Sequence, residues 1–183
     1  MPRPVRSRLT VRVVVRRFRK NRKGSAAVEF ALIMPLFVTL LIAIIELGLI
    51  FFAGQFLEAA VQDTARLIMT GQAQMAAGSG YTADQFKQKL CEHLTTPIDC
   101  SNLSVDVQSF PQFSGINPGS PTDANNNLKT KFLFSMGDST STVVVRAFYP
   151  WQLLAARLFN IATLADGKYL LQASAAFRNE PYQ

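Results

Sequence analysis

Residues 19–52 read RKNRKGSAAVEFALIMPLFVTLLIAIIELGLIFF, and the reading of this stretch governs the rest of the chain. A basic run gives way at Gly24 to an apolar segment with one carboxylate near its start, Glu29, and a second, Glu46, in its interior. Sixteen residues from Phe30 to Ile45 pass without a charge, and the apolar pattern resumes after Glu46 through LGLIFFAGQF. At about 1.5 Å of rise per residue, a helical span over about 30–56 is long enough for the roughly 30 Å of hydrocarbon in a bilayer. An ionised side chain in that environment costs about 3 kcal/mol on insertion scales, so acids within a span are rare and face protein or a functional path. Glu29 and Glu46 therefore ask for more than an anchor.

Working outward, the N-terminal side is strongly basic. Residues 1–24 hold ten of the nineteen Lys and Arg and no acid, so the rest of the chain sets nine cations against twelve acids, a net charge of −3. The formal charge of +7 is thus a property of one arm. Cations beside a hydrophobic span stay on the cytoplasmic side, which orients the chain N-in, C-out. Nucleic acid is not an expected partner: the arm has only Phe18 among its cations as an aromatic and runs directly into the apolar segment. With 183 residues and 49% hydrophobic content, the chain has room for one modest domain beside its membrane segment.

Beyond Phe56, LEAAVQDTARLIMTGQAQ places Leu57, Val61, Thr64, Ala65 and Ile68 at helical spacing, which predicts that one helix continues out of the membrane. It should stop between Gly71 and the GSG at 78–80. Pro35 removes one backbone hydrogen bond inside the span, a defect membrane helices tolerate. Seventeen residues separate Glu29 from Glu46, so the carboxylates lie about 100° apart on an ideal helix and do not share a face. For Glu46 an inter-helix contact, with its partner open, is expected over a protonated side chain that bonds a helix neighbour or snorkels, because acids within a span face protein rather than lipid.

A cleaved secretory signal has an apolar core of about 7–15 residues and a small-residue cut site; this run is longer and starts with an acid. An uncleaved anchor leaves Gly24 and Glu29 without a reason. The stretch RKGSAAVEF resembles the leader junction of the type IV pilin superfamily, in which a basic leader ends in glycine and the mature helix carries glutamate at its fifth position. Counted from Ser25, Glu29 is fifth and Phe30 sixth. The wider GSAAVEFALIMPLFVTLLIAIIELGLIFFAGQFLEAAVQDTARLIMTG resembles the TadE-like family, the pseudopilins of the tight adherence pilus. VVVRAFYPWQLL and LLQASAAFRNEPY resemble that family's closing strands and ending.

The resemblance implies a layout of a cleaved cytoplasmic leader at 1–24, an N-terminal helix at 25–78 and a periplasmic domain at 79–183. A prepilin peptidase would cut between Gly24 and Ser25, and Glu29, Phe30 and Glu46 would serve assembly. In a bundle of parallel helices the new amino group of Ser25 would meet the Glu29 carboxylate of a neighbour; the local alternative is that Glu29, in the first helical turn, answers the helix dipole. Implied partners are other pilins and pseudopilins, the peptidase, an inner-membrane assembly platform and membrane lipid. The location is the bacterial inner membrane, with incorporation into the extracellular pilus also open. The competing classes are an uncleaved single-span envelope binding protein and a membrane-tethered enzyme.

The outer part reads as α+β, a small domain with an antiparallel sheet and short helices. YTADQFKQKLCEHL (81–94) predicts a helix capped by Thr82, with Phe86, Leu90 and Leu94 on one face. LSVDVQSF (103–110), KFLFSM (131–136), STVVVRAFY (141–149) and KYLLQASAAF (168–177) predict strands. PWQLLAARLF (150–159) reads as a helix opening on Pro150. Residues 111–130, rich in Gly, Pro, Asn and Ser, read as a flexible loop.

Cys91 and Cys100 are the only cysteines, and an even count outside the cytoplasm favours a disulfide worth about 2 kcal/mol for so short a loop. A metal site of Cys91, His93 and Cys100 lacks a fourth ligand. With one histidine and no phosphate loop, GxSxG or HExxH, the sequence predicts no catalytic residues, no cofactor and no metal.

Overall fold

The computed structural model describes residues 24–94, 98–155 and 160–181. The basic arm and residues 156–159 of the expected helix at 150–159 lie outside the described residues. The chain forms two units, Met1–Ile42 and Ala43–Gln183.

Helix α1 runs Ser25–Met69 and includes Pro35 without a break. In the first unit it is apolar on every side apart from the exposed Glu29, with Phe30, Leu32, Ile33, Leu36, Phe37 and Leu40 all exposed. Only 11% of the helix's most apolar stretch is buried, so this is not the core helix of a soluble fold, and it is long and apolar enough to cross a membrane.

In the second unit the same helix becomes two-sided. Glu46, Ala53, Leu57, Ala60, Val61, Thr64, Ala65 and Ile68 are buried at spacings of three, four and seven, the stripe that packs on a core. The other sides expose Leu47, Phe51 and Phe52, then turn polar with Gln62, Asp63 and Arg66. α1 ends at Met69, earlier than 78, because Gly71 turns left-handed at φ 77°. A short helix α2 (Gln72–Met75) and a 3-10 turn (Ala76–Gly78) follow.

α3 (Ala83–Glu92) begins with a full capping box: Gln85 N–H donates to Thr82 Oγ1, and Thr82 N–H to the Gln85 side chain. Its Phe86 and Leu90 are buried, as the spacing predicts.

Strands β1 (Ser104–Phe110), β2 (Thr142–Trp151) and β3 (Tyr169–Arg178) form one antiparallel sheet in the order β1-β2-β3. The α+β architecture is the one expected. Val107 faces Val145, Ala147 faces Ala173 and Tyr149 faces Leu171 across the sheet, and these residues share the core with Leu57, Val61, Ile68, Phe86 and Leu90. β2 is buried on both faces from Thr142 to Tyr149, so its second face also needs a cover. Phe132 stacks on Phe148 there, and Arg146 ties down residues 118–119.

Two strand and helix expectations are corrected. Residues 131–136 form no strand; a single parallel bridge, Val107 to Phe134, is made by hydrogen bonds of Val107 with Leu133 and Ser135. Pro150 and Trp151 belong to β2 and not to a helix. β1 stops opposite Phe148, so β2 has a neighbour on one side only at Pro150 and tolerates the missing N–H. Pairing of Trp151 with Tyr169 outweighs the helical propensity of the leucines and alanines that follow.

The 111–130 segment carries hydrogen bonds along its length. Asp123 Oδ1 accepts from the N–H groups of Asn125 and Asn127, and Lys129 Nζ donates to the Ser120 carbonyl. At Gly137 (φ 66°) a Cβ would sit 2.9 Å from those of Ser109 and Ser141, so only glycine fits.

Candidate functional site

The N-terminal turns of α1 present Glu29 and Phe30 outward, Phe30 at 64% exposure. Since α1 starts at Ser25, Glu29 lies just past the first turn and not within it, which weakens a purely dipolar reading. Gly24 precedes the helix. It has no left-handed φ, and a Cβ there would meet nothing within 4 Å. The fold itself gives no reason for glycine at this position.

Glu46 is only 1% exposed. Its Oε1 accepts the backbone N–H of Leu154 at 2.6 Å and its Oε2 that of Ala155 at 2.8 Å. Within the chain, the carboxylate is thus held by a pair of amides just beyond β2. Glu58 does related work one stage further along α1: its Oε2 accepts the N–H of Ser174 on β3 at 3.3 Å. β3 pairs with β2 alone, so this contact covers part of an open strand edge. The Glu180 N–H donates to the Met69 carbonyl at the end of α1.

Cys91 and Cys100 are joined, Sγ to Sγ at 2.03 Å, tying the last turn of α3 to the start of the segment that feeds β1. The disulfide removes both thiols from the metal reading with His93. Among the described residues no three His, Cys, Asp or Glu side chains come together to hold a metal ion. His93 lines an open cleft of about 390 Å³ with Asp63, Arg66, Leu67, Thr70 and Gln72.

Sequence reasoning missed the buried polar centre of the outer domain. Asp106 and Arg146 are cross-strand partners on β1 and β2, both almost fully buried. Arg146 Nε and Nη2 donate to Asp106 Oδ2 at 3.0 and 2.6 Å, Nη1 donates to the Gly119 carbonyl, and Nη2 also donates to that of Pro118. Asp106 Oδ1 in turn accepts from the Leu133 N–H. The signal was present: a lone arginine in VVVRAFY and a lone aspartate in SVDVQ, each requiring a partner if its strand is buried.

Among the described residues, one helix able to cross a membrane continues into a small disulfide-clipped domain, and this defines the class as membrane-anchorable helix–domain proteins. Residues 24–66 match the family model described as TadE-like protein, bearing out the resemblance over that segment. The match starts at Gly24 and ends within α1, so it covers the helix and none of the sheet. No curated protein and no solved structure matches the chain.

Proposed function

We propose that this chain is a minor pilin-like subunit of a tight adherence type IV pilus, cut after Gly24 by a prepilin peptidase and assembled through α1. The TadE-like match carries the reading, since it points to a pilus-associated structural protein and begins at the proposed junction. Gly24 supports it independently. Glycine is unneeded by the fold, whereas a protease active site that takes an extended backbone favours a residue with no side chain. The exposed apolar side chains of Phe30–Leu41 suit lipid before assembly and neighbouring helices after it.

In this reading the ten cations hold residues 1–24 in the cytoplasm and the domain stands in the periplasm of the inner membrane, where the disulfide persists. Glu29 meets the Ser25 amino group of the next subunit, Phe30 packs beside it, and pilins, pseudopilins and the assembly platform are the partners. Its role is structural and not catalytic.

The experiment is mass spectrometry of the native protein. A mature chain starting at Ser25, and a full-length precursor accumulating in Gly24→Val, are the expected results. A native chain starting at Met1 or Pro2 would assign it instead to uncleaved single-span envelope proteins.

A further inference from the structure

Glu46 interrupts the apolar run, yet it is covered by backbone from a distant part of the chain. The clamp brings the turn after β2 to the level of residue 46 on α1. At that level the helix remains apolar on the sides the domain leaves open: Ile45, Leu47 and Phe51 are exposed, Phe51 at 70%. The clamped turn adds to that surface. Leu153 and Trp151 are buried in the domain, while Leu154, whose own N–H is held by Glu46, is 71% exposed.

Counting along the helix locates this level. From Ala26 to Ile45 the helix carries one charge, Glu29, in 20 residues, which at about 1.5 Å per residue make about 30 Å, a full hydrocarbon thickness upstream of Glu46. The clamp then falls at the outer end of the span. A turn at that depth has its amides in a poorly hydrated layer, where backbone donors must be satisfied by protein. Two of them are satisfied, by one carboxylate.

We infer that the Trp151–Ala155 turn is a second membrane contact of this chain: Glu46 holds it at the outer face of the bilayer and Leu154 enters the lipid there. The inference rests on the membrane-anchored reading of α1, and it shortens the span from about 30–56 to 26–45. Glu46 becomes the acid that ends the span.

Trp151 is the only tryptophan, so the protein carries its own depth probe. Full-length protein is reconstituted at low density in phosphatidylcholine–phosphatidylglycerol vesicles containing lipid brominated either near the headgroup or near the chain ends. Interfacial placement predicts about a two-fold drop in Trp151 emission with the shallow quencher and a much smaller one with the deep quencher. Leu154→Glu, at an exposed position that leaves the core intact, should float with the vesicles as wild type does but lose most of the shallow quenching. Glu46→Gln should lose it too.

Protein that floats with Trp151 unquenched, or Leu154→Glu quenched as strongly as wild type, overturns the contact while leaving the anchor standing. Failure to float at all overturns both. Quenching that vanishes as protein density rises would give this surface to a second copy of the chain and likewise overturn the lipid contact.

Discussion

Asp106 and Arg146 stand opposite each other on neighbouring strands, and the guanidinium reaches one oxygen of the carboxylate with two of its nitrogens, at 2.6 and 3.0 Å. The pair also bonds the segment that covers the sheet's second face, through the Leu133 N–H and the Pro118 and Gly119 carbonyls, while Gln108 Nε2 on β1 donates to both carboxylate oxygens. Asp106→Ala should therefore cost about 3–5 kcal/mol, since it strands a buried cation. Replacing both, as Asp106→Leu with Arg146→Met, should cost less than the single change. Denaturant unfolding of the detergent-solubilised protein compares them, and a double variant weaker than Asp106→Ala would show that the loop bonds dominate.

The Glu46 clamp makes a second prediction. In Glu46→Gln the amide nitrogen faces a backbone N–H, so one hydrogen bond is replaced by two opposed donors. The loss should be about 1–3 kcal/mol. Hydrogen exchange at the Leu154 and Ala155 amides should accelerate about tenfold or more, the equivalent of about 1.4 kcal/mol. Unchanged protection at both amides would mean that the clamp does not hold the turn.

A third prediction separates cutting from assembly. Glu29→Ala should still be cleaved at Gly24, because the junction and the basic leader are intact and alanine eases insertion of the helix. Co-purification with other pilus subunits should fall sharply, because the neighbour's new ammonium loses its counter-ion in a low-dielectric setting. Normal piliation of this variant would leave Glu29 as a residue of the helix start only.

The disulfide yields a fourth. Thiol labelling of the native protein without reductant should find neither Cys91 nor Cys100 free. Cys100→Ser should lower stability by about 2 kcal/mol, the chain-entropy value for so short a loop. Free thiols in protein taken from cells would contradict a periplasmic domain.

Acid should loosen the 121–129 turn. The N–H of Asn127, and after it that of Asn125, stabilises the charged Asp123 carboxylate and lowers its pKa from the ordinary 3.8. A depressed folded-state pKa contributes stability that is fully present above 3.8 and is lost as pH falls through the lower folded value. The amide resonances of Asn125 and Asn127 should therefore hold their positions to below pH 3.8 and then move together. Movement at higher pH would show that the carboxylate is not held by these bonds.

The parts of this molecule legible in the sequence are those governed by local chemistry. Cations, glycine, apolar length and the acid at 29 describe a membrane helix from composition and order alone, because lipid imposes its requirement residue by residue. Thr82 with Gln85 was readable for the same reason: the partner is three residues away. What the tertiary structure decided are the partners of the buried polar groups. Glu46 finds its amides 108 and 109 residues away, Arg146 finds Asp106 40 residues away, and the Leu-Leu-Ala run after Pro150 gives up its helical tendency to follow β2. A carboxylate in an apolar sequence announces that it needs donors; which donors reach it depends on how the sheet docks on the helix, and that is set by the packing of the whole domain.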